Sequence, residues 1–165
     1  MRSFFSILIF SFLILEVSAQ KKPLSPKDEI SGTINGTDIT IEYYQPSARG
    51  RVIMGELVPF GKVWRTGANN ATTFTIGQNT KIEGQDLQAG TYALFTIPGE
   101  KKWTIIFNTE AKQWGSTKYD EEKDALRIDV DAKKLDDMVE TFTISFTESG
   151  IKLAWEYTAV IFNID

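Results

Sequence analysis

Cysteine and histidine are both absent from this chain of 165 residues, and each absence excludes classes of chemistry. Without cysteine there is no disulfide and no lipid anchor on a thiol, so packing alone must hold the fold together. Without histidine, zinc sites built from His and Cys, Ser-His-Asp triads and Cys-His nucleophiles are excluded. Any catalysis must use carboxylates, Lys, Tyr, Ser or a hard metal ion.

Basic residues are few as well. Lys and Arg number 18 against 22 acidic residues, which gives a net charge of −4, and no Lys/Arg-rich run occurs. Nucleic-acid binding needs a basic surface, so we expect no nucleic-acid partner. The acidic residues between Asp120 and Asp131 alternate with Lys and Arg, which indicates a solvated surface rather than a calcium loop. We expect no metal and no organic cofactor.

The one long apolar run lies at the N-terminus. Arg2 precedes the run Phe4–Leu15, and a tripeptide of small or slim residues ending in Ala19 follows it. The run is shorter than the ~20 residues of a membrane span and is typical of a cleaved secretory signal. An uncleaved anchor helix or a buried core helix is disfavoured because Glu16 and Gln20 interrupt the run.

We therefore expect a signal peptide over residues 1–19 and a single β-sandwich domain over residues 20–165. The mature length suits one domain with a substantial core. Export to the periplasm or the extracellular space follows, with no membrane span after cleavage. The oligomeric state is left open.

Alternating apolar and polar residues run through most of the mature chain and predict strands with one buried face. Asn35-Gly36 supplies a type I′ turn and predicts a hairpin. Residues 91–97 and 103–107 are apolar on both parities, which predicts central strands covered on both faces. Further short strands are predicted at 72–76, 81–83, 141–147 and 151–157.

The end of the chain predicts a corner. Inward parity is odd through Tyr157 and even from Val160, which indicates a bulge near Thr158-Ala159. A short helix is predicted at 132–138, with Asp131 as its N-cap. The fold class is all-β: an antiparallel β-sandwich or partly open barrel of about nine to ten short strands, with a long irregular loop and at most one short helix.

The long irregular loop runs from Pro46 to Asn70. Ordered loops of this length are often functional or cover a sheet edge. Its arginines and amides can bind carboxylate, phosphate or polyol groups. Alternatively it is a structural plug, in which Trp64 seals the end of the sandwich while Arg65 and Asn69 satisfy loop carbonyls.

Tryptophans outside this loop divide into two kinds. Trp103 and Trp155 lie in alternating strands and are expected in the core. Trp114 lies in a loop between Gln113 and Gly115, where an exposed ring could stack on a sugar or close a pocket.

Several motifs resemble those of one family. The longest is Trp64-Arg65-Thr66-Gly67-Ala68-Asn69, and the others are Gly50-Arg51, residues 57–63, Ala71-Thr72, Ala89-Gly90-Thr91-Tyr92, residues 94–99, Gln113-Trp114-Gly115, Tyr119-Asp120 and Trp155-Glu156. The chain is similar to the bacterial domain-of-unknown-function family 2911, uncharacterised secreted or periplasmic proteins. The resemblance spans nearly all of the mature chain, implies export and assigns no activity.

Two positions depart from that family. Many members have His after Ser-Pro, where this chain has Lys27, and Arg before the loop proline, where it has Gln45. A site in relatives that relies on the imidazole would be altered or absent here.

Three kinds of function remain open. We expect an exported protein that binds a small polar or carbohydrate-like ligand through the Arg49–Asn70 loop, with the candidate binding residues Arg49, Arg51, Trp64, Arg65, Asn69, Thr72, Trp114 and Tyr119. One alternative is a carboxylate-dependent hydrolase or lyase that uses two of Glu42, Glu56, Asp120 and Glu156, with Arg65 stabilising developing negative charge. The other is a protein-interaction module without a pocket.

The signal peptide is directly testable. N-terminal sequencing of the exported protein should begin at Gln20, because the small residues before it fit the signal peptidase. An exported form that still begins at Met1 would contradict cleavage.

Overall fold

The computed structural model describes residues 24–165, so the predicted signal peptide and its cleavage site lie outside the described residues. Residues 24–165 form ten strands: β1 Lys27–Ile34, β2 Thr37–Tyr44, β3 Thr72–Ile76, β4 Thr80–Ile82, β5 Gln85–Leu87, β6 Gly90–Ile97, β7 Lys102–Asn108, β8 Asp124–Asp131, β9 Lys133–Phe146 and β10 Gly150–Asn163. The one helical element of this part of the chain is a 3₁₀ turn at Glu121–Lys123, which the Asp120 carboxylate caps. The predicted all-β class is confirmed.

Six strands form an antiparallel sheet in the order β1-β2-β3-β6-β7-β8. Its first hairpin turns at Asn35-Gly36, whose φ angles of 48° and 79° are those of a type I′ turn. Ile34 and Thr37 pair directly across that turn. β6 and β7 lie inside the sheet and bury residues of both parities, so the predicted hairpin and the predicted central strands are confirmed.

The second layer consists of the hairpins β9–β10 and β4–β5, which isolated bridges connect. Ile82 of β4 pairs with Ile164, just after β10. The chain leaving β2 also joins this layer, because Ser47 pairs with Thr141 of β9. The largest apolar cluster of the described residues draws on both layers, which is the arrangement of an antiparallel sandwich.

Strand β10 bends at Glu156. Its register with β9 shifts on both sides of this residue, and the Glu156 φ of 54° lies in the left-handed region. Trp155 is buried before the bend, whereas Tyr157 after it is 45% exposed. The predicted bulge is confirmed, but it begins before Thr158-Ala159. The expectation that Tyr157 points inward is wrong because the earlier bulge changes the buried face sooner.

The predicted helix at 132–138 is wrong. Residues 133–138 lie in the first half of β9, where Lys133 and Lys134 pair with Ala159 and Thr158 of β10. So short a segment is marginal as a helix. The long neighbouring strand β10 offers it backbone hydrogen bonds, and this tertiary context overrides local propensity.

Aromatic rings occupy the centre of the core. Trp155 is 2% exposed, and its ring stacks on Trp64 with 5.8 Å between centroids. Phe142 packs against the rings of Trp64 and Trp155 at 5.1 and 5.9 Å. Trp103 is also buried and meets Trp64 edge-on. The expectation that Trp103 and Trp155 are core residues is confirmed.

We expect Trp155→Ala to lower the free energy of unfolding by about 3–5 kcal/mol, because it empties a closed aromatic site. Trp114→Ala removes a ring that is 71% exposed and should change that free energy by less than about 1 kcal/mol. Urea unfolding followed by circular dichroism measures both. Equal losses would contradict the assignment of Trp155 to the core.

Candidate functional site

The chain between β2 and β3 docks on the six-stranded sheet through a short pairing. Trp64 and Thr96 of β6 exchange two backbone hydrogen bonds of 2.7 and 2.9 Å, and the Gly61 amide donates to the Pro98 carbonyl at 2.8 Å. β3 pairs with β6 only as far as Leu94, so residues 61–64 continue the line of β3. The loop is thereby anchored to a rigid sheet.

Trp64 closes the end of the sandwich. Its side chain is 8% exposed, and its ring contacts those of Trp103, Phe142 and Trp155. The indole Nε1 donates to the Gly67 carbonyl at 3.1 Å. Trp64 therefore has the contacts of a structural plug.

The loop beyond this plug has an unusual backbone. Thr66, Gly67 and Asn69 have φ angles of 54°, 151° and 57°, which is a strained conformation for a β-branched residue such as Thr66. Buried Thr72 stabilises it, since Thr72 Oγ1 donates to the Thr66 carbonyl at 2.6 Å. A Cβ at residue 67 would lie 2.9 Å from the Tyr44 carbonyl oxygen. Gly67 is thus required, and Thr72 supports the loop from inside.

A cavity of about 330 Å³ lies beside this loop. We call it the arginine cavity, because its lining includes Arg49, Arg51, Arg65, Trp64, Asn69 and Trp155. Five of the sequence-predicted residues thus lie together, namely the three arginines with Trp64 and Asn69. Trp155, Leu24 and Ser25 also line it, and sequence analysis did not assign them to a site.

Backbone carbonyls orient Arg49 and Arg51. Arg51 Nε and Nη2 donate to the carbonyls of Ala48 and Ser47 at 2.9 and 2.8 Å. Arg49 Nη2 donates to the Leu24 carbonyl at 2.6 Å. A guanidinium carries five N–H donors, so each of these side chains retains donors for a ligand.

Arg65 is the least satisfied side chain of the three. Its Nε atom is buried and has no hydrogen-bond partner among the described residues. This burial lowers the pKa of Arg65 from its ordinary value, yet a guanidinium remains charged in proteins. Within residues 24–165 none of the three arginines forms an ion pair. The cavity therefore has an excess of positive charge.

Trp114 lies outside the arginine cavity. It lines a second cavity, of about 320 Å³, together with Lys27, Glu42, Tyr44 and other residues. We call this the Trp114 cavity. The candidate residues Arg65 and Trp114 therefore line different cavities.

Residues 69–71 lie where the linings of the two cavities meet, and their backbone pairs with that of residues 113–115. Asn69 lines the arginine cavity and Asn70 the Trp114 cavity. Asn70 forms a bridge with Trp114, and the Gly115 amide donates to the Asn69 carbonyl at 3.0 Å. The local pairing of these two loops, which sequence spacing does not reveal, fixes the segment in place.

Tyr119 lines neither cavity. Its ring packs edge-on against Phe95 at 5.1 Å, in a small apolar cluster separate from the main core. Its hydroxyl donates to Asp124 Oδ2 at 2.5 Å. Burial, together with this hydrogen bond, raises the pKa of Tyr119. These contacts describe a structural residue.

The carboxylates considered for catalysis are dispersed. Glu156 Oε2 accepts from the backbone amides of Ile53 and Met54, and Asp120 caps the 3₁₀ turn. Glu42 lines the Trp114 cavity without Glu56, Asp120 or Glu156, so this cavity lacks the carboxylate pair of a glycosidase-like site.

The described residues were also compared with the requirements of a metal site and of a membrane-spanning helix. Residues 24–165 contain no group of three or more Asp or Glu placed to hold a metal ion. No helix in this part of the chain is long and apolar enough to cross a bilayer.

The two residues that depart from the family pattern, Lys27 and Gln45, both form specific contacts. Lys27 forms an ion pair of 2.5 Å with Glu42 at the Trp114 cavity. Gln45 Nε2 donates to Asp28 Oδ2 at 2.9 Å and to the Tyr43 hydroxyl at 3.1 Å. Both replacements are therefore structurally accommodated, and Lys27 adds charge to a cavity wall.

Comparisons with known proteins identify a family whose function is unknown. No curated protein and no solved structure matches the chain. The model of the DUF2911 family, whose description is protein of unknown function, matches residues 25–164. This range covers nearly all of the described residues, as the motifs implied, and the chain belongs to the DUF2911 family.

Proposed function

We propose that this protein, once exported, binds a small anionic ligand in the arginine cavity. The observation that carries the proposal is Arg65, a charged side chain with a buried, unpartnered Nε atom at a cavity wall. Leaving a buried donor unsatisfied costs about 1–3 kcal/mol. A ligand oxygen that accepts from Arg65 offsets that cost.

The other charges favour the same ligand class. Arg49 and Arg51 line the cavity beside Arg65, and no Asp or Glu belongs to its lining. Glu140, which approaches Arg49, accepts from its backbone amide instead. Planar guanidinium groups bind carboxylates and phosphates through paired hydrogen bonds. An anion of this kind supplies the countercharge that the cavity lacks.

The remaining walls suggest an organic anion. Leu57 is 46% exposed and gives the cavity apolar surface beside the charged groups, with small contributions from Trp64 and Val58. A volume of about 330 Å³ lies at the lower end of the range for small-molecule sites. The expected ligand is a small carboxylate or phosphate ester with an apolar or sugar-like body.

Ligand binding can be tested on the exported protein by thermal shift and calorimetry with phosphate, succinate and glucose 6-phosphate as probes. We expect at least one anion to stabilise the protein, and Arg65→Met to weaken its binding by about 1.5–3 kcal/mol, the range for hydrogen bonds to charged groups. Neutral glucose should not compete with that anion.

Lys118→Met is the matched control, because it also removes one positive charge but lies on a different surface, near Trp114. It should leave anion binding unchanged apart from a small long-range effect that salt screens. Equal weakening by both substitutions would contradict a site at Arg65, as would the absence of stabilisation by every anion.

The pH dependence of binding provides a separate prediction. The titratable groups of the cavity lining are arginines, which stay charged. Succinate affinity should therefore be constant near neutral pH and fall as the pH decreases from about 6 to about 4, where the two carboxylates of the probe take up protons one after the other. Calorimetry across this range checks the profile, and a loss of affinity centred near neutral pH would contradict it.

A further inference from the structure

We infer that the Trp114 cavity is a second binding site, which takes a ring of a neutral saccharide. This site is separate from the arginine cavity and does not depend on its proposed function. Three features support the inference: the exposed ring of Trp114, the mixed polar groups around it, and an unpartnered amide oxygen on Gln113.

Trp114 presents its ring on a fixed backbone. Its side chain is 71% exposed, whereas the other three tryptophans of the chain are at most 8% exposed. Its backbone is held by the bridge to Asn70, and the flanking Gln113 carbonyl accepts from the Ala71 amide at 2.9 Å. An aromatic ring already fixed in this way loses little backbone freedom on binding. The apolar C–H face of a sugar ring can stack on such a surface.

The polar groups of the cavity include both donors and acceptors, which suits a ligand that carries hydroxyl groups. Lys27 and Glu42 both line it and form an ion pair, so donors and acceptors lie side by side. Lys112 also lines it and adds a single positive charge, against three arginines and no carboxylate in the arginine cavity. Asn70 and Thr73 add groups that both donate and accept. A sugar hydroxyl also donates and accepts, whereas an anion would meet the Glu42 carboxylate. The contrast with the arginine cavity points to a different ligand class.

Gln113 supplies the independent observation. It is 9% exposed and belongs to the lining of the Trp114 cavity. Its Nε2 donates to Asn108 Oδ1 at 3.1 Å and to the Glu110 carbonyl at 2.7 Å, which fixes the amide orientation because both partners are acceptors. Its Oε1 has no hydrogen-bond donor among the described residues. A hydroxyl donor from the ligand would satisfy this oxygen.

Trp114 also lines a neighbouring depression of about 420 Å³ together with Lys112 and Thr117. The ring therefore borders two cavities. This arrangement leaves room for a second sugar residue next to the stacked one. Disaccharides are accordingly better probes than monosaccharides.

The inference can be tested with the exported protein by tryptophan fluorescence and acrylamide quenching. The probes are maltose, cellobiose, lactose and N,N′-diacetylchitobiose at millimolar concentrations. Because Trp114 is the exposed tryptophan, a bound sugar should shift emission to shorter wavelength and reduce quenching. Trp114→Ala should abolish this response and weaken binding measured by calorimetry at least about tenfold, as expected for losing a stacked aromatic.

Variants at three positions separate this site from its alternatives. Trp114→Phe keeps an aromatic face and should retain part of the affinity in calorimetry. Lys101→Met, at an exposed residue that lines neither the Trp114 cavity nor the neighbouring depression, should retain all of it. Arg65→Met should leave saccharide binding unchanged, while Trp114→Ala should leave anion binding unchanged. No response to any of the disaccharides, or saccharide binding that survives Trp114→Ala, would overturn the inference. Loss of saccharide binding in Arg65→Met would also overturn it, by placing the sugar in the arginine cavity.

Discussion

Stacking of Trp64 on Trp155 joins the long loop to the second layer of the sandwich. Trp64 is paired to β6 through its backbone, and Trp155 belongs to β10, so this contact links both layers at one end of the molecule. The chain has no cysteine to make such a link covalent. Closure of that end therefore rests on aromatic packing and on the two hydrogen bonds between Trp64 and Thr96.

Closure of the loop restricts the directions in which its polar side chains can point. The left-handed residues Thr66 and Asn69 turn the backbone sharply, and Arg65 lies directly before Thr66 at the cavity wall. Backbone strain of this kind persists only where the surroundings impose it. The same loop thus seals the core with one residue and presents a charged group with the next, so the plug and binding interpretations describe different residues of one segment.

Much of the fold was predictable because it rests on local patterns. The Asn35-Gly36 turn and the two strands buried on both faces follow from turn chemistry and hydrophobic periodicity. The segment at 132–138 was misassigned because its partner, β10, is distant in sequence and its own apolar residues are few. Tyr157 was misassigned because a bulge changes parity at a position that pattern alone locates only approximately.

The sequence indicated which residues belong to a candidate site, but not that these residues line two separate cavities. The arginines and Trp64 stand out as unusual residues in an irregular loop. Their separation from Trp114 depends on pairing between residues 69–71 and 113–115, which involves backbone atoms and leaves no sequence pattern. Gln113 was missed as a site residue for a related reason, since its unpartnered oxygen is visible only when its neighbours are known.

Structural and charged residues share one short backbone in this loop. Trp64 and Gly67 serve the fold, and few replacements at these positions are compatible with closure. Arg51 donates to two loop carbonyls, and Arg65 is partly buried. A substitution at either arginine would therefore change the conformation of the loop as well as the charge of the cavity.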